Sequence, residues 1–322
     1  MILLVCLILT GCKGAGDGVR IVRIAHGQSE THPEHLGLLA FQEYIHKTMG
    51  DRYEIQIFPN EILGSSQKAM ELTQTGAIDF VVAGAANLET FADVYEIFSI
   101  PYLFASEEAY HQAMENREIM EQIYHSTDEA GFRVLTWYNA GTRNFYAKKP
   151  IYAPEDLKGL KIRVQQSPAS VAMVQAFGAA AAPMSFGEVY TAIQQGVIDG
   201  AENNELALTN NKHGEVAKYF VYNKHQMIPD LLVGNLKFLE GLSAEEREIF
   251  YEAARISTRI ELEEWDKQVD AAKKTAEETM GVKMLETDTE AFVQKVLPLH
   301  EKMLTQNPKL RPLYERFREE SV

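Results

Sequence analysis

Cysteine is almost missing from this chain: only Cys6 and Cys12 occur, both ahead of the first strand-like segment. The remainder can form no disulfide and offers no thiol nucleophile. Cations are also short, with 31 Lys and Arg against 46 Asp and Glu and a net charge of -15. Nucleic-acid binding draws on clustered Lys and Arg, so that class is set aside. The apolar run MILLVCLILT (residues 1–10) is too short to cross a bilayer and has the length of a signal-peptide core. No GxSxG, HExxH or GxxxxGK segment occurs, and Gly14, Gly16 and Gly18 miss the GxGxxG spacing. The common marks of serine hydrolases, zinc peptidases and nucleotide binders are therefore absent.

What is there is an ordinary globular composition, 46% hydrophobic and 24% charged. A length of 322 residues favours two lobes over a single core. Ahead of them, LTGC (residues 9–12) resembles a bacterial lipobox, which implies cleavage before Cys12, lipidation of its thiol and a glycine-rich tether through Gly18. The expectation is an exported protein in the periplasm or on the outer face of the cytoplasmic membrane, held there by lipid.

From Val19 onward the pattern alternates. VRIVRIA (residues 19–25) reads as a strand; Thr31 or His32 then caps a helix with Pro33 in its first turn and Leu38, Phe41, Ile45 and Met49 at helical spacing. Tyr53, Ile55 and Ile57 alternate as a second strand, and a helix through Met70 ends near Gly76 before the apolar strand IDFVVAG (residues 78–84). Strand and helix in turn predict an α/β fold. The order seen in LTQTGAIDF (residues 72–80) returns in AIQQGVIDG (residues 192–200), which fits two lobes of similar build sharing a cleft at their strand ends. Ser243 and Glu246 form a capping box before a stretch free of Pro and Gly until Gly281. As one helix it would run roughly 50 Å at 1.5 Å per residue, a brace across both lobes; two helices broken near Ser257 are the alternative.

Candidate chemistry is sparse. HGQSETHPEH (residues 26–35) gathers His26, Glu30, His32, Glu34 and His35, a polar helix-capping loop or, less simply, a zinc site. Arg143 lies in a segment flanked by aromatics, and Arg163 lies in LKIRV (residues 160–164), where Leu160, Ile162 and Val164 alternate with polar residues. An Arg in either place is ordinarily at the surface.

Several segments together are more specific: FPNEILGSSQKAM (58–70), GAIDFVVAG (76–84), FSIPYLF (98–104), NAGTRNFY (139–146), DLKGLKIRV (156–164) and APMSFGEVYTAIQQGVIDGAEN (182–203). In that order they resemble the DctP-type solute-binding proteins of tripartite ATP-independent periplasmic (TRAP) transporters. The resemblance implies two α/β lobes around a cleft, crossed by connecting strands and a long helix. It implies that Arg163 pairs with a ligand carboxylate, that Arg143 assists, that Asn203 hydrogen-bonds the same group or its neighbour, and that Phe186 packs on the ligand. His26, Glu30, Ser66, Gln67 and Asn87 would come from the first lobe. Gln165 stands where the family commonly has Pro, adding an amide beside the carboxylate.

Arg grips a carboxylate through two parallel hydrogen bonds, and a half-desolvated pair at 4 Å gains about 4 kcal/mol at an effective dielectric of 20. The distant acidic surface is screened beyond ~8 Å. Amides and hydroxyls suit a ring of sugar hydroxyls. The loop at residues 26–35 with GAENNELALTNNKHGEVAKY (200–219) resembles the hexuronate branch of the family, implying D-glucuronate or D-galacturonate. A C4-dicarboxylate or sialic acid is the alternative ligand, and a sugar-acid lyase using His26 and Glu30 the alternative class. The expected lobes are 19–142 plus 229–270 and 143–228 plus 271–322, after a leader and tether at 1–18. The expected protein is a monomer without cofactor, metal or catalytic residue, delivering its ligand to TRAP membrane permease subunits.

Overall fold

The computed structural model describes residues 18–319. Its strands are β1 (Arg20–Ala25), β2 (Tyr53–Phe58), β3 (Phe80–Gly84), β4 (Phe132–Tyr138), β5 (Arg143–Ala147), β6 (Lys161–Val164), β7 (Ala180–Pro183), β8 (Gly200–Asn203), β9 (Tyr219–Gln226), β10 (Asp230–Asn235) and β11 (Lys283–Glu286). They form two sheets, ordered β2-β1-β3-β10-β4 and β11-β9-β5-β8-β6-β7. The chain passes between them at residues 139–142, joining β4 to β5, and at residues 227–229, joining β9 to β10. The architecture is the two-lobed α/β fold that the alternation of elements implied.

The sequence echo is a structural equivalence. Gly76 and Gly196 both end a helix in the left-handed region, at φ 77° and 73°, with N–H groups bonded back to the last carbonyls. Three residues later the Asp takes the same bonds in each lobe. Asp79 N–H donates to Arg23 O and its carboxylate accepts the Arg23 N–H at 2.8 Å. Asp199 N–H donates to Lys161 O and its carboxylate accepts the Lys161 N–H at 2.8 Å. Each Asp thus ties its strand to the neighbouring one, β1 or β6.

The helix Ala244–Glu278 is continuous over 35 residues and opens on the Ser243–Glu246 capping box. Its first half buries Phe250, Ala253 and Ala254 in the core of the first sheet with Phe41 and Phe80. Farther along, Trp265 and Ala272 cluster with Leu206, and Ala276 enters the second core with Phe220 and Val282. It is the brace rather than two helices. Close approach to the helix Pro33–Met49 requires Gly37, since a Cβ there would lie 2.6 Å from the Ser257 carbonyl oxygen. After the brace, the helix Thr289–Gln306 packs Phe292 on Phe145 and Phe177, and the helix Arg311–Glu319 packs Phe317 on Phe98 and Phe104.

Candidate ligand site between the lobes

The pleat of β6 sends Ile162 and Val164 into the core and Arg163 to the opposite face, where it lines a cavity between the lobes. Arg163 is 4% exposed. Its Nε and Nη2 donate to the Met184 carbonyl oxygen at 3.1 and 2.9 Å, and its guanidinium lies 5.6 Å from the centre of the Phe186 ring. Among the described residues no carboxylate lies within ion-pair distance of it. Burial lowers its pKa, and the nearby Glu202 opposes that.

Arg143, at the start of β5, is in a different state. Its Nε and Nη2 donate to the two Glu202 carboxylate oxygens at 2.5 and 2.9 Å, and Nη2 also donates to the Glu202 carbonyl at 3.0 Å. Nη1 donates to Asn203 Oδ1 at 3.2 Å, leaving the Asn203 amide nitrogen to the cavity. His225 Nε2 is 3.3 Å from Glu202 Oε2 and its ring stacks on Phe145. Burial alone would raise the Glu202 pKa, but Arg143 and His225 outweigh it and hold the group at about 2. A fixed carboxylate therefore neutralises Arg143, and Arg163 keeps an unmatched positive charge.

The first lobe supplies Gln28, Ser66, Gly84 and Asn87. A Cβ on Gly84 would lie 2.6 Å from Gln165 Nε2, so the glycine admits the Gln165 amide across the cleft. Behind this wall His26 Nδ1 is 3.1 Å from Glu34 Oε1, and His26 Nε2 is 2.9 Å from His35 Nδ1. Burial pushes His26 down to about 4 and Glu34 up to about 8. It also pushes Asp230 well above the usual carboxylate range, with Glu34 adding to the shift. Near neutral pH the inner wall therefore holds a neutral His26 imidazole and a protonated Glu34 carboxyl.

Residues 24–307 match the family of bacterial extracellular solute-binding proteins, family 7, DctP. The chain belongs to the DctP family. A TRAP periplasmic solute-binding protein of Anaerococcus prevotii, solved with bound α/β-D-glucuronate, superposes with a TM-score of 0.92 at 52% identity, over 94% of this chain and 98% of that one. One from Sulfitobacter, solved with β-D-galacturonate, gives 0.90 at 33% identity over 93% and 100%. The Salmonella typhimurium protein YiiZ is 39% identical over 93% of this chain and 91% of its own length. This DctP protein is a TRAP periplasmic solute-binding protein, a transport component.

The cavity of this DctP protein brings together Arg163, Arg143, Asn203, Phe186, Gln165, Asn87 and Ser66. His26 sits behind it, while Gln67 is half-buried and Glu30 exposed, both outside the lining. Cys12 and the lipobox lie outside the described residues. His32, read as a helix cap, does accept the Glu34 N–H through Nδ1. Among the described residues no cluster has the makings of a metal site, and no helix is long and apolar enough to cross a membrane.

Sequence reasoning missed Glu202, Glu61 and Asp230 of this DctP protein, and it did not place Glu34 in the ligand cavity. Glu202 carried a signal: in a strand with Gly200 and Ala201 buried beside Arg163, an acidic residue needs a cation. Glu34 reads only as part of the polar capping loop or zinc site of residues 26–35, and nothing local marks it as a buried lining residue of the cavity.

Proposed function

We propose that this DctP protein captures a hexuronate, D-glucuronate or D-galacturonate, and delivers it to a TRAP permease in the membrane. The observation that carries the reading is Arg163, a buried guanidinium without an anionic partner among the described residues, set in a cavity lined mostly by amides and hydroxyls. The ligand carboxylate would take the free edge of Arg163, with the Asn203 and Gln165 amides beside it, and Phe186 would pack under the ring. The relatives solved with glucuronate and galacturonate support the same ligand class. A C4-dicarboxylate is less well served: its far carboxylate would meet a neutral His26 rather than a second free cation, since Arg143 is already paired with Glu202.

In this reading the lobes divide within residues 139–142 and 227–229, and ligand shifts an open-closed equilibrium about those crossings. Lipid attachment at Cys12 and the absence of turnover belong to the same proposal. The test is a melting panel of D-glucuronate, D-galacturonate, succinate and sialic acid with product analysis. A hundredfold excess over the dissociation constant stabilises by about 2.7 kcal/mol, so a hexuronate shift with unchanged ligand recovered is the expected outcome. A shift with succinate or sialic acid alone would reassign the ligand, and conversion of the sugar acid would make the protein an enzyme.

A further inference from the structure

Glu61 is a first-lobe residue whose carboxylate reaches the second lobe. Asn60 and Glu61 both hold positive φ, 58° and 54°, an uncommon conformation for two successive residues that are not glycine. Two backbone bonds fix it: Asn60 N–H donates to Gln28 O at 2.9 Å and Glu61 N–H to His26 O at 3.1 Å. The side chain then runs past Gly27, where a Cβ would lie 3.5 Å from Glu61 Cγ. At its end Oε2 accepts the Gly187 N–H at 2.9 Å, one residue beyond Phe186. A Cβ on Gly187 would fall 2.8 Å from that oxygen.

The other oxygen is the informative one. Oε1 is buried and has no hydrogen-bond partner among the described residues, and Glu61 lines the same cavity as Arg163. A buried carboxylate oxygen left unmatched is costly unless a donor arrives. A carboxylate oxygen accepts, so the group that matches it must carry a donor, as a sugar hydroxyl does and a second carboxylate does not.

Resting on the hexuronate reading, we propose that Glu61 is a specificity residue that accepts a hydrogen bond from a ligand hydroxyl through Oε1 while Oε2 holds the second lobe at Gly187. One side chain then reads the hydroxylated part of the ligand and reports it to the closure contact. It also selects against diacids of the same length.

Glu61→Gln tests this, because the amide keeps an oxygen for Gly187 and loses the charged acceptor. Titration calorimetry of wild type and variant with D-glucuronate and with the diacid D-glucarate gives the readout. The expected result is a loss of tenfold or more for D-glucuronate with no loss, or a gain, for D-glucarate. Loss for one ligand only cannot come from misfolding or looser closure, which would weaken both. A variant within twofold of wild type for D-glucuronate overturns the inference, as does a parallel loss for both acids, which would leave Glu61 only a latch. A wild type that binds no hexuronate overturns the ligand assignment and this inference together.

Discussion

Glu202 holds Arg143 through both carboxylate oxygens, at 2.5 and 2.9 Å, in a pair that is almost wholly removed from solvent. Breaking such a pair leaves a buried charge without its partner, at a cost of roughly 3 to 5 kcal/mol. Arg163 has only the Met184 carbonyl as a hydrogen-bond acceptor among the described residues. The two arginines of one site should therefore fail in different ways.

Arg163→Ala should abolish carboxylate binding and leave the melting temperature near that of the wild type, because no ion pair is lost. Arg163→Lys should also bind poorly, since an ammonium cannot present two parallel donors. Arg143→Ala should lower the melting temperature strongly in the absence of ligand. Calorimetric binding and melting curves of the three variants check this; a stable Arg143→Ala or a binding-competent Arg163→Ala would reverse the roles.

Gly84 and Gln165 make the second prediction. A methyl on Gly84 would meet Gln165 Nε2 at 2.6 Å and Asp230 Oδ1 at 3.1 Å; the flexible amide can swing away, and the carboxyl has to give only slightly. Gly84→Ala should thus leave stability nearly intact and weaken hexuronate binding about as much as Gln165→Ala does. The double variant should be no worse than either alone, because residues in contact are not additive. Additive losses would mean that Gly84 acts on closure by some other route.

Gly141 sits in the first crossing at φ 60°, and a Cβ there would lie 2.5 Å from Trp265 Cζ2 on the brace helix. Gly141→Ala combines backbone strain of order 1 to 3 kcal/mol with a collision against a rigid ring. Its melting temperature should fall, and Trp265→Leu in the same chain should recover part of the loss. Denaturation of single and double variants decides it; an unaffected Gly141→Ala would mean that the crossing yields without cost.

Much of this site was legible because the residues that build it act locally. The strand period around Arg163 gave its buried neighbours, the Gly-x-Ile-Asp echo gave the paired lobes, and the Ser243–Glu246 box gave the start of the brace. What stayed hidden depends on distant partners. Glu202 lies 59 positions from Arg143, and Glu61 lies 126 from Gly187. No local pattern distinguishes such a carboxylate from the many solvated ones in an acidic chain; only the fold removes it from water.

The buried carboxyls make stability depend on pH with a definite sign. Glu34 is raised to about 8 and Glu89 to about 7, both by burial, from a usual value of 4.5. The folded chain keeps protons that the unfolded chain would release, so this stabilisation is whole below pH 4.5 and is lost as pH climbs through 7 and 8. His26, His32 and His213 are depressed to about 4, 3 and 3, again chiefly by burial. Their contribution is whole above pH 6.5 and is lost on acidification below it. Between pH 6.5 and 8.5 the carboxyls act alone, so the melting temperature should rise as pH falls across that window. Below about 6.5 the rise should flatten or turn. Glu89 accepts the Ser167 hydroxyl at 2.9 and 2.8 Å from the other lobe and also that of Ser99. Glu89→Gln should preserve those contacts in neutral form and flatten the slope between pH 6.5 and 7.5. A wild-type melting temperature that climbs from pH 6.5 to 8.5, or a Glu89→Gln slope equal to that of the wild type, would show that these groups are ionised in the native protein.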